Sequence, residues 1–257
     1  MSGRRDRVRF AGGSGHTLAG VVELPDGEPD AWAVFAPCFT CPKDAKAIVR
    51  ISQLLAAGGM AVLRYDVTGS GDSEGDFAAT SFASQVADLR AAAGFVRARH
   101  PGPGLAVGIS LGGAVVVAGA GAILDLRAVA TVNAPADTRQ LRDLLLRLAP
   151  EILSDGAAAV TLFGLTTQIG RALVEDLPRH DIVLAAGELT LPLMVLHAPA
   201  DAVVPVAHGE RLFAAARQPK SFVAVVGADH LLLQPPGAAD RVAEALALWA
   251  RQLVPGQ

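Results

Sequence analysis

The chain has 257 residues, 51% of them hydrophobic and 18% charged, enough for one large domain with a substantial core and too apolar for disorder. Its formal net charge of -3 leaves no basic surplus to drive nucleic-acid binding by counterion release. No stretch reaches the ~18 apolar residues of a membrane span. The basic start runs into "FAGGSGHTLAG" rather than a signal-peptide core, so a cytoplasmic protein is expected.

Residues 7–11 and 16–24 read as a hairpin turned at "GGSG". The apolar run "AWAVFAP" (31–37) predicts a buried strand. Residues 44–59 have helical periodicity and a glycine stop, and "MAVLRYDV" (60–67) is the next strand. A helix over 81–100 ends before Pro101. A strand at 105–109 leads into a small-residue helix at 111–124. Further strands fall at 128–134, 191–199 and 220–227, with helices at about 207–217 and 237–253. Near-continuous apolar strands alternating with helices imply an α/β fold, a mostly parallel sheet covered on both faces. Residues 135–190 break the alternation with two or three helical or hairpin pieces. They are expected to be a lid inserted into a single domain covering 1–257.

The pattern G-x-S-x-G occurs twice, as "GISLG" (108–112) and "GDSEG" (71–75). A nucleophilic serine on this motif needs a strand before it and a helix after it, so that a sharp turn exposes the hydroxyl. "LAVGISLGGAVVVAG" supplies both. "DVTGSGDSEGDF" supplies a polar loop whose Asp72, Glu74 and Asp76 would repel a developing oxyanion. Ser110 is therefore the candidate nucleophile and Ser73 a loop serine.

A serine needs a base to take its proton and a carboxylate to orient that base. Asp201 follows the strand 191–199 and His230 follows the strand 220–227. Open parallel sheets gather ligands at the carboxyl ends of such strands, and the order Ser110, Asp201, His230 fits. Asp229 is adjacent to His230 and poorly placed to orient it. Asp66 is expected to tie down a neighbouring loop, and His197 to lie beneath the site as a hydrogen-bonded structural residue.

The only two cysteines stand as Cys38-Phe-Thr-Cys41. They cannot make a disulfide scaffold, and no second Cys pair or spaced His pair completes a zinc site. Cys41-Pro42 lies near a helix start, so a redox role stays open.

The stretches "FAPCFTCPKD", "LRYDVTGSGDSEGDF", "GISLGGAVVV", "VATVNAPAD", "LHAPADAVV" and "PKSFVAVVGADHLL" resemble the α/β-hydrolase superfamily over roughly 8–253. Within it the chain looks like the hydrolase domain fused to an OsmC-like domain in some bacterial proteins, and like cinnamoyl and feruloyl esterases. The resemblance implies a stand-alone relative or one half of a fusion. It also implies that the loop after strand 31–37 forms an oxyanion hole. The backbone N–H of Phe39 would join that of Leu111 there. In such enzymes this loop usually starts with histidine, and another often precedes the nucleophile; here these are Pro37 and Ile109.

The expectation is a serine hydrolase acting on small carboxylic esters, with no cofactor or metal. Thioester, amide, peroxy-acid or acyl-transfer chemistry on the same three residues is the alternative, and a non-catalytic binding protein on the same scaffold another.

Overall fold

A computed structural model describes residues 4–162 and 164–253. The sheet strands are β1 (Arg4–Ala11), β2 (Thr17–Leu24), β3 (Ala31–Ala36), β4 (Met60–Tyr65), β5 (Gly104–Ile109) and β6 (Leu126–Val132). The insert strands β7 (Ala157–Leu162) and β8 (Leu165–Gly170) pair only with each other, and β9 (Leu193–His197) and β10 (Lys220–Ala224) return to the main sheet. That sheet has eight strands in the order β1-β2-β4-β3-β5-β6-β9-β10. β2 runs antiparallel to both neighbours and the remaining pairs are parallel.

Alternation along β3 explains how the sheet is covered. Trp32, Val34 and Ala36 face one apolar layer; Ala31, Ala33 and Phe35 face the other. With both faces buried, every residue of β3 is apolar, as a central parallel strand requires. Helices α1 (Lys46–Ala57) and α9 (Ala238–Leu253) cover the second layer through Ile48, Ile51, Leu55, Val242 and Leu246. The first is covered by α2 (Phe82–Arg99) and α3 (Leu111–Gly119), through Phe82, Leu89, Ala114 and Val116. Ser81 and Ser84 close α2 with reciprocal capping hydrogen bonds.

Residues 135–190 hold more pieces than expected. They comprise α4 (Arg139–Leu148), α5 (Ile152–Asp155), the β7–β8 hairpin, α6 (Arg171–Asp176) and α7 (Ile182–Glu188). Helices of four to seven residues are too short to show a helical period, which is why the sequence merges them. Beyond this segment, after β9, comes α8 (Ala207–Ala215), and α7 packs on both α3 and α8. No described helix is long and apolar enough to cross a membrane.

Candidate active site

The carboxyl ends of β3, β5, β6, β9 and β10 lie side by side, because those strands are parallel and adjacent. The turn from β5 to α3 carries Ser110 at φ 54° and ψ -125°, a left-handed conformation that non-glycine residues rarely hold. Two flanking glycines permit it. A Cβ on Gly108 would run into the backbone of Gly112, and one on Gly112 into the carbonyl oxygens of Ala36 and Pro37. Ser110 stands at the N-cap of α3, yet its hydroxyl makes no capping bond. Its N–H donates to the Val132 carbonyl at 2.8 Å, which ties the turn to β6.

The unspent hydroxyl faces His230. Ser110 Oγ lies 2.9 Å from His230 Nε2, and His230 Nδ1 lies 2.7 Å from Asp201 Oδ2. An ionised carboxylate only accepts, so Nδ1 carries the proton and donates it to Asp201. Nε2 is left with a lone pair, toward which Ser110 O–H donates. The other Asp201 oxygen accepts from the N–H groups of Val203 and Val204, at 2.8 and 2.9 Å. Burial pushes the Asp201 carboxyl up, but the hydrogen bonds from His230, Val204 and Val203 outweigh it and hold the group below the usual range.

The competing residues are occupied elsewhere. Asp229 accepts from the Leu233 N–H at 2.7 Å and so closes its own turn. His197 is fully buried beneath the site and donates through Nε2 to the Val204 carbonyl at 2.9 Å; burial lowers its pKa and keeps it neutral. His208 Nδ1 accepts from the Ala136 N–H at 3.1 Å. Ser73 spends its hydroxyl twice, donating to the Asp66 carbonyl at 2.7 Å and accepting from the Ala19 N–H at 2.9 Å. Asp66 holds Lys43 through its backbone N–H (2.6 Å) and its Nζ (2.8 Å).

Lys43 ends the loop that leaves β3. Within that loop Cys38 and Cys41 are joined by a disulfide across a turn, with Cα atoms 5.1 Å apart and the Cys41 N–H donating to the Cys38 carbonyl at 3.1 Å. The two thiols are thus joined in a local cross-link, which the C-x-x-C spacing permits but does not single out. Thr40, inside the bridge, sits at φ 61°. The bridge and the Lys43–Asp66 pair hold the loop that lacks a histidine at Pro37. Ile109 is 1% exposed and fills the apolar layer against α9. Among the described residues, the N–H groups of Phe39 and Leu111 meet no hydrogen-bond acceptor. Leu111 is the first helical residue, where an N–H has no partner within the helix.

Above Ser110 lies a cavity of about 110 Å³. Its walls are mainly Phe39, Leu141, Leu144, Leu162, Val203 and Leu231, with the disulfide on one side and Asp137 and Gln140 at the α4 end. A larger groove of about 490 Å³ runs beside β1 between Arg5, Arg7, Arg9, Lys43 and Asp72; it contains no nucleophile.

A strained serine between strand and helix, hydrogen-bonded to an imidazole that a buried carboxylate holds, is an arrangement suited to nucleophilic attack. The comparisons agree with that class. The family described as "Serine aminopeptidase, S33" matches residues 43–155. The esterase domain of a Rhodothermus marinus protein is 37% identical, over 98% of this chain and 99% of that one, with a TM-score of 0.76. Est1E from Butyrivibrio proteoclasticus, solved with ferulic acid bound, superposes with a TM-score of 0.82 at 18% identity, over 96% and 99% of the two chains. XC6422 from Xanthomonas campestris, described as a serine hydrolase without lid, gives 0.66 at 18% identity, over 100% and 98%. A search of curated proteins found no match. The chain belongs to the α/β-hydrolase family, together with the Rhodothermus marinus esterase domain.

Proposed function

We propose that the protein hydrolyses carboxylic esters through an acyl-enzyme on Ser110. The observation that carries this reading is the unbroken hydrogen-bond chain from Ser110 through His230 to Asp201, opening into an apolar cavity. Ser110 Oγ attacks the acyl carbon while His230 Nε2 accepts its proton, and Asp201 stabilises the imidazolium. The carbonyl oxygen becomes an oxyanion, facing the free N–H groups of Phe39 and Leu111. One such donor contributes roughly 2.7–4 kcal/mol to the transition state. His230 then returns the proton to the leaving alcohol oxygen. Water enters, loses a proton to His230 and cleaves the acyl-enzyme, releasing the acid and restoring Ser110. No step calls for a cofactor or a metal.

Residues 135–190 act in this proposal as a lid within a single domain, since Leu141, Leu144 and Leu162 roof the cavity. Those walls favour an uncharged acyl group. Amide cleavage, which the aminopeptidase description of the family brings to mind, would use the same steps. The one carboxylate among the cavity walls above the three reacting residues, Asp137, is already engaged by Arg139 through its N–H at 3.0 Å and its guanidinium at 3.7 Å. It is therefore a poor seat for a substrate ammonium, and esters are the better-supported substrates.

The test is turnover of p-nitrophenyl acetate and butyrate together with labelling by a fluorophosphonate. Both are expected in the wild type and lost in Ser110→Ala. Turnover that survives Ser110→Ala would refute the reading. A folded wild type that neither labels nor turns over would make the scaffold a binding protein instead.

A further inference from the structure

Asn133 is a fully buried polar residue that the proposed chemistry does not use. It follows β6 directly, at φ 49°, a conformation that asparagine tolerates better than most residues. Its backbone N–H and both polar atoms of its side chain are engaged. Its backbone N–H donates to the Leu196 carbonyl at 2.9 Å. Its Oδ1 accepts from the Ala198 N–H at 2.8 Å, three residues before Asp201. Its Nδ2 donates to the His230 carbonyl at 2.8 Å and more weakly to that of Asp229 at 3.4 Å. The residue before it, Val132, receives the Ser110 N–H.

One side chain therefore bridges the loops that carry Asp201 and His230, and is itself covalently next to the strand end that holds Ser110. Sequence neighbours do not make this link: the partners lie 65 and 97 residues away. The bridge also has a chemical requirement. One end must accept from an N–H and the other must donate to carbonyls, and a side-chain amide does both. A carboxylate of the same shape would keep the acceptor and set an oxygen against the His230 carbonyl. A buried polar group left unpaired in this way is costly to the arrangement around it.

Given the reading of Ser110, Asp201 and His230 above, we infer that Asn133 is a positioning residue that sets the register of the His230 loop against the Asp201 loop. It is absent from the cavity walls, so it acts on the reaction step and not on substrate binding. A misplacement of about 1 Å at a reacting group costs on the order of a hundredfold in rate.

Three variants test this. Asn133→Asp keeps size and the acceptor; Asn133→Gly keeps the backbone conformation and removes the side chain. Thr131→Val is the control, on the same strand, with a buried hydroxyl that meets no partner among the described residues. With p-nitrophenyl butyrate, both Asn133 variants are expected to lose about 10- to 100-fold in kcat with KM within about twofold. Their fluorophosphonate labelling rates should fall in parallel, while Thr131→Val stays at the wild-type values. Wild-type kcat in folded Asn133→Asp or Asn133→Gly overturns the inference. So does a rise in KM at constant kcat, an equal loss in Thr131→Val, or the failure of both Asn133 variants to fold. Turnover in Ser110→Ala strikes the ester reading itself, a separate result.

Discussion

The two Gly-x-Ser-x-Gly turns share a pattern and nothing else. At 108–112 the glycines are needed because backbone passes against backbone; neither has a positive φ. At 71–75 both glycines are left-handed, at φ 54° and 98°, and the serine is an ordinary loop residue. The positive φ has changed places: in the first turn it falls on Ser110, which it strains, and in the second on glycines, which adopt it freely. A hydroxyl at the strained position is held out of the helix it precedes and meets His230. The hydroxyl of Ser73 is consumed by Asp66 and Ala19. The second turn still serves the first at a distance. Asp66, which it surrounds, grips Lys43 at the end of the loop that carries Phe39.

The sharpest way to break this contrast is to delete each hydroxyl. Ser110→Ala is expected to lower kcat by a factor on the order of 10⁴–10⁶ with the fold intact. Ser73→Ala should keep kcat within about twofold and cost about 1–2 kcal/mol of stability, for the two hydrogen bonds it breaks. Rates and denaturant melts of the pair check both. Equal activity losses would dissolve the distinction.

The next largest effect lies at Lys43. Burial lowers its pKa, but hydrogen bonds and charge from Asp66 and Asp72 outweigh burial and raise it above the usual value. A raised folded pKa means stabilisation that is complete below about 10.4, the unfolded value, and lost as pH climbs through the folded one. Lys43→Met leaves the buried Asp66 carboxylate without its cation and should cost about 3–5 kcal/mol near neutral pH. The variant should also lack the wild type's alkaline loss, which thermal melts against pH measure. A melt unchanged at every pH would remove the clamp from the account.

The smallest effect concerns the other end of the same loop. Reducing the Cys38–Cys41 bridge with a dithiol frees the segment that carries Phe39, whose N–H is the proposed oxyanion donor. An oxyanion donor removed outright costs about 10²–10³ in kcat, so a loosened one is expected to cost about tenfold. The rate should return on reoxidation, and Cys38→Ser/Cys41→Ser should be slow and insensitive to dithiol. Full activity in the reduced protein would make the bridge incidental to the proposed oxyanion loop.

Much of this was legible in the sequence where information is local. Strand, turn and helix around Ser110 are contiguous, so the pattern can be weighed against its copy at Ser73. Asp201 and His230 could be found because each follows an apolar strand by a few residues, and parallel strands deliver their ends to one edge. Asn133 left no such trace: "ATVNAP" reads as a strand running out, and its partners are fixed only when β6, β9 and β10 line up. The disulfide was hidden for the opposite reason, since C-x-x-C is local but fits several chemistries. The pieces of 135–190 stayed merged because their apolar residues follow no single period over so few turns.

The most direct measurement is the covalent intermediate. The protein is mixed with p-nitrophenyl butyrate, quenched in acid during turnover and digested, and the peptides are weighed. The account predicts a butyryl group on the peptide containing Ser110, present in Ser73→Ala and absent in Ser110→Ala. A butyryl group on the Ser73 peptide, or turnover with no acyl adduct on Ser110 at any quench time, would contradict it.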